Sequence, residues 1–221
     1  MILIKAVVFD FDGLIIDTET VWFESFKEIL GAYDVEFPLE IFTPCVGTHG
    51  TIIDQYIEEK LGKKVSVEEV RRRVRECHRN KIINIDARDG VRDYLKQAKE
   101  LDLRIGLASS SRKEWIHEFL KKLDILHYFD VIKSSDDVKM IKPDPELYIQ
   151  CTDALNVRSN EVVAFEDSNN GAKAANDAGI ACVIVPNPIT EGIIFDNYDL
   201  RIESMANHSL KDVLNRITSV C

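Results

Sequence analysis

Ile2-Leu3-Ile4-Lys5-Ala6-Val7-Val8-Phe9-Asp10-Phe11-Asp12-Gly13 is the stretch from which the fold follows. Residues 2–9 form an apolar run rich in Ile and Val, cut off by Asp10 and Gly13, and read as a buried strand. Asp10 and Asp12, at i and i+2, start on the same side of an extended chain with Phe11 turned away. Gly13 permits a sharp turn that tips Asp12 over the same spot. Carboxylates brought together in a water-poor crevice repel, and one takes a proton unless a cation intervenes. A capped turn of solvated aspartates is the plain alternative. A calcium loop is excluded, because Leu14 holds the next ligand position and the glycine comes too early.

Outward from this stretch, further short apolar runs at 104–108, 131–133, 161–165 and 181–185 read as strands. Helical patterns at 91–101, 113–123, 146–155 and 171–178 lie between them. Asp144-Pro145 signals a helix start, with Asp144 as cap and Pro145 at the first helical position. Gly179 sits where a helix stops. Strands alternating with helices predict an α/β fold, a parallel sheet covered on both faces.

Residues 18–85 break the alternation. Asp17 or Thr18 caps a helix that carries Val21, Trp22, Ser25, Phe26, Ile29 and Leu30 on one face. Helical stretches near 51–61 and 66–83 follow, and Asp89-Gly90 marks the return to alternation. The division expected is an α/β core of 1–17 with 86–221 and an inserted helical module of 18–85. Arg71, Arg72, Arg73, Arg75 and Arg79 make the third helix locally basic. Pairing of Glu68 with Arg72 and Glu69 with Arg73 reads this as a solvated face rather than a nucleic-acid patch.

Composition agrees with a packed enzyme-like chain. Of 221 residues, 45% are hydrophobic, enough to bury roughly 70% of the unfolded surface. The net charge of −10 argues against nucleic-acid binding, which needs a basic face, but leaves room for small phosphorylated ligands. The five cysteines contain no CxxC pair, which suits thiols in a reducing compartment. No apolar run approaches a membrane span, and the N-terminus has no signal-peptide pattern. The expectation is a cytoplasmic protein with no membrane partner. The oligomeric state is not legible, and a monomer is compatible with the pattern.

Three more strand ends sharpen the chemistry. Glu166-Asp167 repeats the acidic pair after 162–165, and in an open parallel sheet ligands bind beyond the carboxyl ends of the strands. Acids from two strand ends call for a hard divalent cation, and Mg²⁺ is the natural one when a phosphate shares the site. Ser109-Ser110-Ser111 follows another strand and offers hydroxyl and backbone N–H donors near a helix start. Lys142-Pro143-Asp144-Pro145-Glu146 sets a lysine beside a stiff turn, placed to pair with a carboxylate and neutralise phosphate oxygens.

The order Asp10-x-Asp12-Gly13, Ser109, Lys142-Pro143-Asp144-Pro145-Glu146, Glu166-Asp167-Ser168-x-x-Gly171 resembles the haloacid dehalogenase superfamily, along the whole chain. It is most similar to the branch with a helical cap after the first strand, the β-phosphoglucomutase-like and phosphoglycolate-phosphatase-like enzymes. The resemblance implies a Rossmann-like core, a mobile cap and a phosphatase acting on a small phosphorylated metabolite through an aspartyl phosphate. It implies Asp10 as nucleophile, Asp12 as general acid and base, Ser109 on the transferring phosphoryl group and Lys142 balancing charge. Mg²⁺ would be held by the Asp10 carboxylate, the Asp12 backbone carbonyl, Asp167 and Glu166. Gly13 and Ser110 join the phosphate-binding set.

The mutases of this branch carry a cap histidine where this chain has Trp22, and a cap-loop arginine where it has Gly50. Loss of that arginine argues against holding a bisphosphate, so hydrolysis is expected and β-phosphoglucomutase-like phosphomutase activity is the runner-up. Trp22, Thr48 and His49 become candidates for substrate selection. A phospho-accepting receiver-like signalling domain is the alternative of another class. Its phosphorylated Asp is not on the first strand, however, and it lacks an inserted helical module.

Overall fold

The computed structural model describes residues 3–46, 50–62 and 65–220. Thr48 and His49 therefore lie outside the described residues. The chain divides into two compact units, one of Met1–Ile16, Asp86–Pro186 and Ile194–Cys221, the other of Asp17–Ile85 with Asn187–Ile193.

The first unit is a six-stranded sheet. Its strands are β1 (Ala6–Phe9), β2 (Arg104–Ala108), β3 (Val131–Lys133), β4 (Val162–Glu166), β5 (Ala181–Ile184) and β6 (Leu200–Arg201). They run β3-β2-β1-β4-β5-β6, every pair parallel. All four residues of β1 and all five of β4 are buried, as a sheet covered on both faces requires. Helices α5 (Val91–Glu100), α6 (Lys113–Lys122), α7 (Glu146–Ala154), α8 (Asn169–Asp177) and α9 (Leu210–Val220) belong to this unit. The strand order reverses at β1, which has β2 on one side and β4 on the other. The crevice beyond the carboxyl ends of β1 and β4 is thus the switch point at which doubly wound sheets place ligands.

Local differences from the sequence reading have local causes. β1 starts at Ala6, because only 6–9 lie between two strand partners. β4 reaches Glu166, which pairs with Ile184, so Asp167 alone begins the loop. β6 was not expected, since two residues carry no periodicity. Helix α7 starts at Glu146, with the Asp144 carboxylate accepting from the Glu146 N–H at 3.0 Å, a residue later than the Asp-Pro signal implied. Gly179 does stop a helix: its φ is +72°, and the Ile180 N–H donates back to Ala175 O.

The second unit is built from α1 (Thr18–Gly31), α2 (Leu39–Phe42), α3 (Thr51–Leu61) and α4 (Val67–Ile82). Asp17, rather than Thr18, caps α1, accepting from the Thr20 N–H at 3.1 Å. On α4 the buried residues are Val70, Val74, His78 and Ile82, a stripe at spacing i+4 packed against α1. Phe23, Phe26, Phe37 and Phe42 fill the interior with aromatic contacts. The segment Asn187–Ile193, whose local pattern does not set it apart from the core, groups with this unit. Ile189 joins its apolar cluster, and Asn187 Oδ1 accepts from the N–H groups of Ile189 and Thr190.

The basic run of α4 pairs differently from expectation. Arg72 bridges Glu69 and Glu76, both at 2.6 Å, while Arg71 reaches Asp54 and Arg73 donates to the Tyr33 hydroxyl. Glu69 at i+3 is as near to Arg72 as Glu68 at i+4, and Tyr33 draws Arg73 away. No helix among the described residues is long and apolar enough to cross a membrane.

Candidate active site

Asp10 is the first residue beyond β1, and its N–H donates to Phe165 O at 3.0 Å, continuing the ladder to β4. Phe9 and Phe165, paired in register, stack with ring centroids 5.1 Å apart. This packing brings Asp10 beside the end of β4. Asp10, Glu166 and Asp167 each offer a carboxylate oxygen within 4.8 Å of the others, and all three residues are buried. The acids predicted from two strand ends therefore converge.

One ammonium serves them. Lys142 Nζ donates to Asp10 Oδ1 and, at 2.6 Å, to Glu166 Oε1, with the lysine only 6% exposed. Burial alone would lower the Lys142 pKa, but Asp10 and Glu166 together hold it above its ordinary range. Burial pushes the Asp10 carboxyl well up, with Lys142 opposing and Glu166 adding to the rise. Lys142 pairs with Asp10 and Glu166, and the all-oxygen donor set of Asp10, Glu166 and Asp167 fits a hard divalent ion.

Glu166 is completely buried and held from several directions. Tyr148 Oη donates to its Oε1 at 2.6 Å, and the Asp167 N–H to its Oε2 at 3.3 Å. The Tyr148 ring also lies 4.9 Å from Lys142 Nζ, a cation–π contact. Gly171, in the first turn of α8, leaves the space Glu166 occupies: a Cβ there would stand 1.9 Å from the Glu166 carboxyl carbon. Tyr148 was not singled out from sequence, because with Leu147 and Cys151 it reads as the core stripe of α7.

Asp12 has a separate set of partners. The turn after Asp10 is closed by the Gly13 N–H donating to Ile16 O at 2.8 Å, with Gly13 at φ +81°. Ser111 Oγ donates to Asp12 Oδ2 at 2.6 Å, Ser109 Oγ lies 3.4 Å from the same oxygen, and Trp115 Nε1 donates to Oδ1 at 3.0 Å. Burial raises the Asp12 pKa, while the bonds from Ser111 and Trp115 pull it down. The Asp12 side chain is not in the Asp10–Glu166–Asp167 group, which leaves only its backbone carbonyl for the ligand role that the resemblance implies.

Ser109 is buried at the end of β2 and accepts from the Ser111 N–H at 3.0 Å; Ser110 is half-buried beside it. Arg88 is a further residue the sequence did not mark. Its guanidinium donates to the carbonyls of Gly13, Val185 and Pro186, tying the Asp12–Gly13 turn to the chain that leaves β5. Trp22 belongs to the helical unit, where it stacks on His78 with centroids 3.7 Å apart.

Buried acids beside a lysine, set at a sheet's switch point, answer the needs of phosphate-ester chemistry. The chain belongs to the haloacid dehalogenase-like hydrolases, whose family model matches residues 7–185. It is 44% identical over 218 residues to a Bacillus subtilis (strain 168) chain named as a phosphatase, YhcW, covering 98% of this chain and 99% of that one. The phosphorylated carbohydrates phosphatase of Thermotoga maritima is 34% identical over 178 residues, covering 80% and 82% of the two chains. The crystal structure of CbbY from Rhodobacter sphaeroides in complex with phosphate superposes with a TM-score of 0.74 at 26% identity, over 95% of this chain and 98% of that one. Membership in a family of hydrolases sets aside the receiver-like alternative.

Proposed function

We propose that this protein is an Mg²⁺-dependent phosphatase of a small phosphorylated sugar or similar phosphomonoester, working through an aspartyl phosphate on Asp10. The observation that carries the reading is the gathering of Asp10, Glu166 and Asp167 within 4.8 Å, with Lys142 paired to two of them, Asp10 and Glu166. The sugar class rests on the Thermotoga relative, named for phosphorylated carbohydrates.

In this reading a carboxylate oxygen of Asp10 attacks phosphorus as the ester P–O bond breaks, and Asp12 gives its proton to the departing alcohol oxygen. Water then attacks the phosphoryl group, Asp12 takes up its proton, and the bond to Asp10 breaks to release phosphate. Lys142 keeps Asp10 oriented, and Ser109, Ser110 and the backbone at Gly13 receive the phosphoryl oxygens. Bound by the carboxylates of Asp10, Glu166 and Asp167 and the Asp12 carbonyl, Mg²⁺ would neutralise charge developing on phosphorus. Substrate selection is assigned to the helical unit, with Trp22, Thr48 and His49 as its candidates. Cys45, Cys77, Cys151 and Cys182 are all thiols, in keeping with a reducing, cytoplasmic setting.

Phosphate release from a panel of sugar phosphates, stopped by EDTA and restored by Mg²⁺, is the expected behaviour; turnover indifferent to EDTA contradicts it. ³¹P NMR with glucose 1-phosphate and a trace of the 1,6-bisphosphate separates hydrolase from mutase. Inorganic phosphate is expected, and accumulation of glucose 6-phosphate overturns hydrolysis as the main reaction.

A further inference from the structure

The two aspartates of the first motif are held by chemically different partners. Asp10 is paired with an ammonium, whereas among the described residues the hydrogen bonds to the Asp12 carboxylate come from the neutral groups of Ser109, Ser111 and Trp115, the last of these the farthest in sequence. The indole N–H donates and accepts nothing, so its single polar function here is to fix an acceptor. Trp115 is itself restrained: it sits in the first turn of α6, half-buried, with its ring 4.5 Å from that of the buried Phe119.

The bonds are divided between the two carboxylate oxygens, Oδ1 to Trp115 at 3.0 Å and Oδ2 to Ser111 at 2.6 Å. A planar group gripped at both oxygens has its rotation about the Cβ–Cγ bond fixed, where one bond would leave it free to swing. A carboxylate has about four lone-pair positions, so two strong bonds leave capacity to carry a proton and to face a substrate oxygen.

We infer that Trp115 is a positioning residue for proton transfer, orienting Asp12 toward the leaving oxygen through its indole N–H, with Ser111 as the opposing grip. The inference rests on the acid–base role proposed for Asp12. It assigns a function to a helix residue whose spacing otherwise reads as packing.

Proton delivery matters in proportion to how poor the leaving group is. The test compares phenyl phosphate, whose more basic phenoxide leaving oxygen gains from a proton, with p-nitrophenyl phosphate, whose nitrophenolate departs without one. Trp115→Phe keeps an aromatic ring facing Phe119 and removes the indole N–H together with the pyrrole part of the ring. First-turnover release of the phenol is measured for wild type, Trp115→Phe and Asp12→Asn. The ratio of kcat/KM between the two substrates is independent of how much of a variant folds, and a purely structural defect leaves it unchanged.

For Trp115→Phe the ratio, phenyl over p-nitrophenyl, is expected to fall about tenfold, and for Asp12→Asn by about a hundredfold or more, the scale of general acid catalysis. If Asp12→Asn shows the fall and Trp115→Phe stays within about twofold of wild type, the inference fails while the role of Asp12 stands. If Asp12→Asn shows no fall, the acid assignment fails and takes the inference with it. A rise for Trp115→Phe, the sign of a clasp that parks Asp12 out of use, also overturns it.

Discussion

The two units bury polar groups under opposite rules. In the α/β unit Asp10, Lys142, Glu166, Asp167 and Ser109 are all buried, with Lys142 paired to Asp10 and Glu166 and Tyr148 donating to Glu166. In the helical unit His78 is buried, its pKa pushed down by burial to about 4, so it sits neutral against the Trp22 ring, and burial raises the pKa of the Cys45 thiol. The same desolvation cost is offset by partners where phosphate chemistry is proposed, and avoided by neutralisation where the interior has only to pack. Buried charge among the described residues thus gathers in the first unit, where the phosphate chemistry is proposed.

Substitutions test that contrast, beginning with the largest effect. Asp10→Asn removes the nucleophile with little change in volume. Turnover of p-nitrophenyl phosphate with Mg²⁺ is expected to fall by at least about 10⁴-fold while the thermal transition persists. Substantial activity in this variant would refute the nucleophile assignment. Lys142→Ala leaves Asp10 and Glu166 buried without their ammonium, and chemical denaturation is expected to show a loss of about 3–5 kcal/mol. A loss below about 1 kcal/mol means the pairing carries little of the unit's stability.

Gly171→Ala is milder in chemistry but pushes a methyl to within 1.9 Å of the Glu166 carboxyl carbon, so Glu166 or α8 must move. A displacement of that kind is expected to cost about 100-fold in kcat/KM. Wild-type kinetics would mean that Glu166 tolerates repositioning.

The smallest effect belongs to the helical unit. His78 titrates near 4 folded and near 6.5 unfolded, so between those values the unfolded chain binds the extra proton. Stability gained from neutral His78 is complete above pH 6.5 and drains away as pH falls toward 4. A loss of about 3 kcal/mol across that window is expected, and His78→Gln should flatten it. An unchanged slope in the variant would assign the acid sensitivity elsewhere.

Much of the α/β unit was legible because its signals are local. The run before Asp10, the Glu166-Asp167 pair and Lys142-Pro143 each sit at a strand end or turn that short patterns identify, and parallel alternation then brings those ends to one edge. Trp115, Tyr148 and Arg88 were not legible for a common reason. Each acts across the fold, on Asp12, Glu166 and the Gly13 carbonyl, from a position whose local pattern reads as packing or surface. The segment Asn187–Ile193 escaped likewise, since its membership in the helical unit is set by where Ile189 packs and not by its own composition.

The most direct test of the central claim is the site of covalent phosphorylation. Asp12→Asn is mixed with p-nitrophenyl phosphate and Mg²⁺, quenched in acid, digested and mapped by mass spectrometry. The expected result is one phosphoryl group on the peptide containing Asp10, accumulated because the second step lacks its base. An unmodified Asp10 peptide after a burst of p-nitrophenol, or the phosphoryl group on Ser109 instead, would contradict the account.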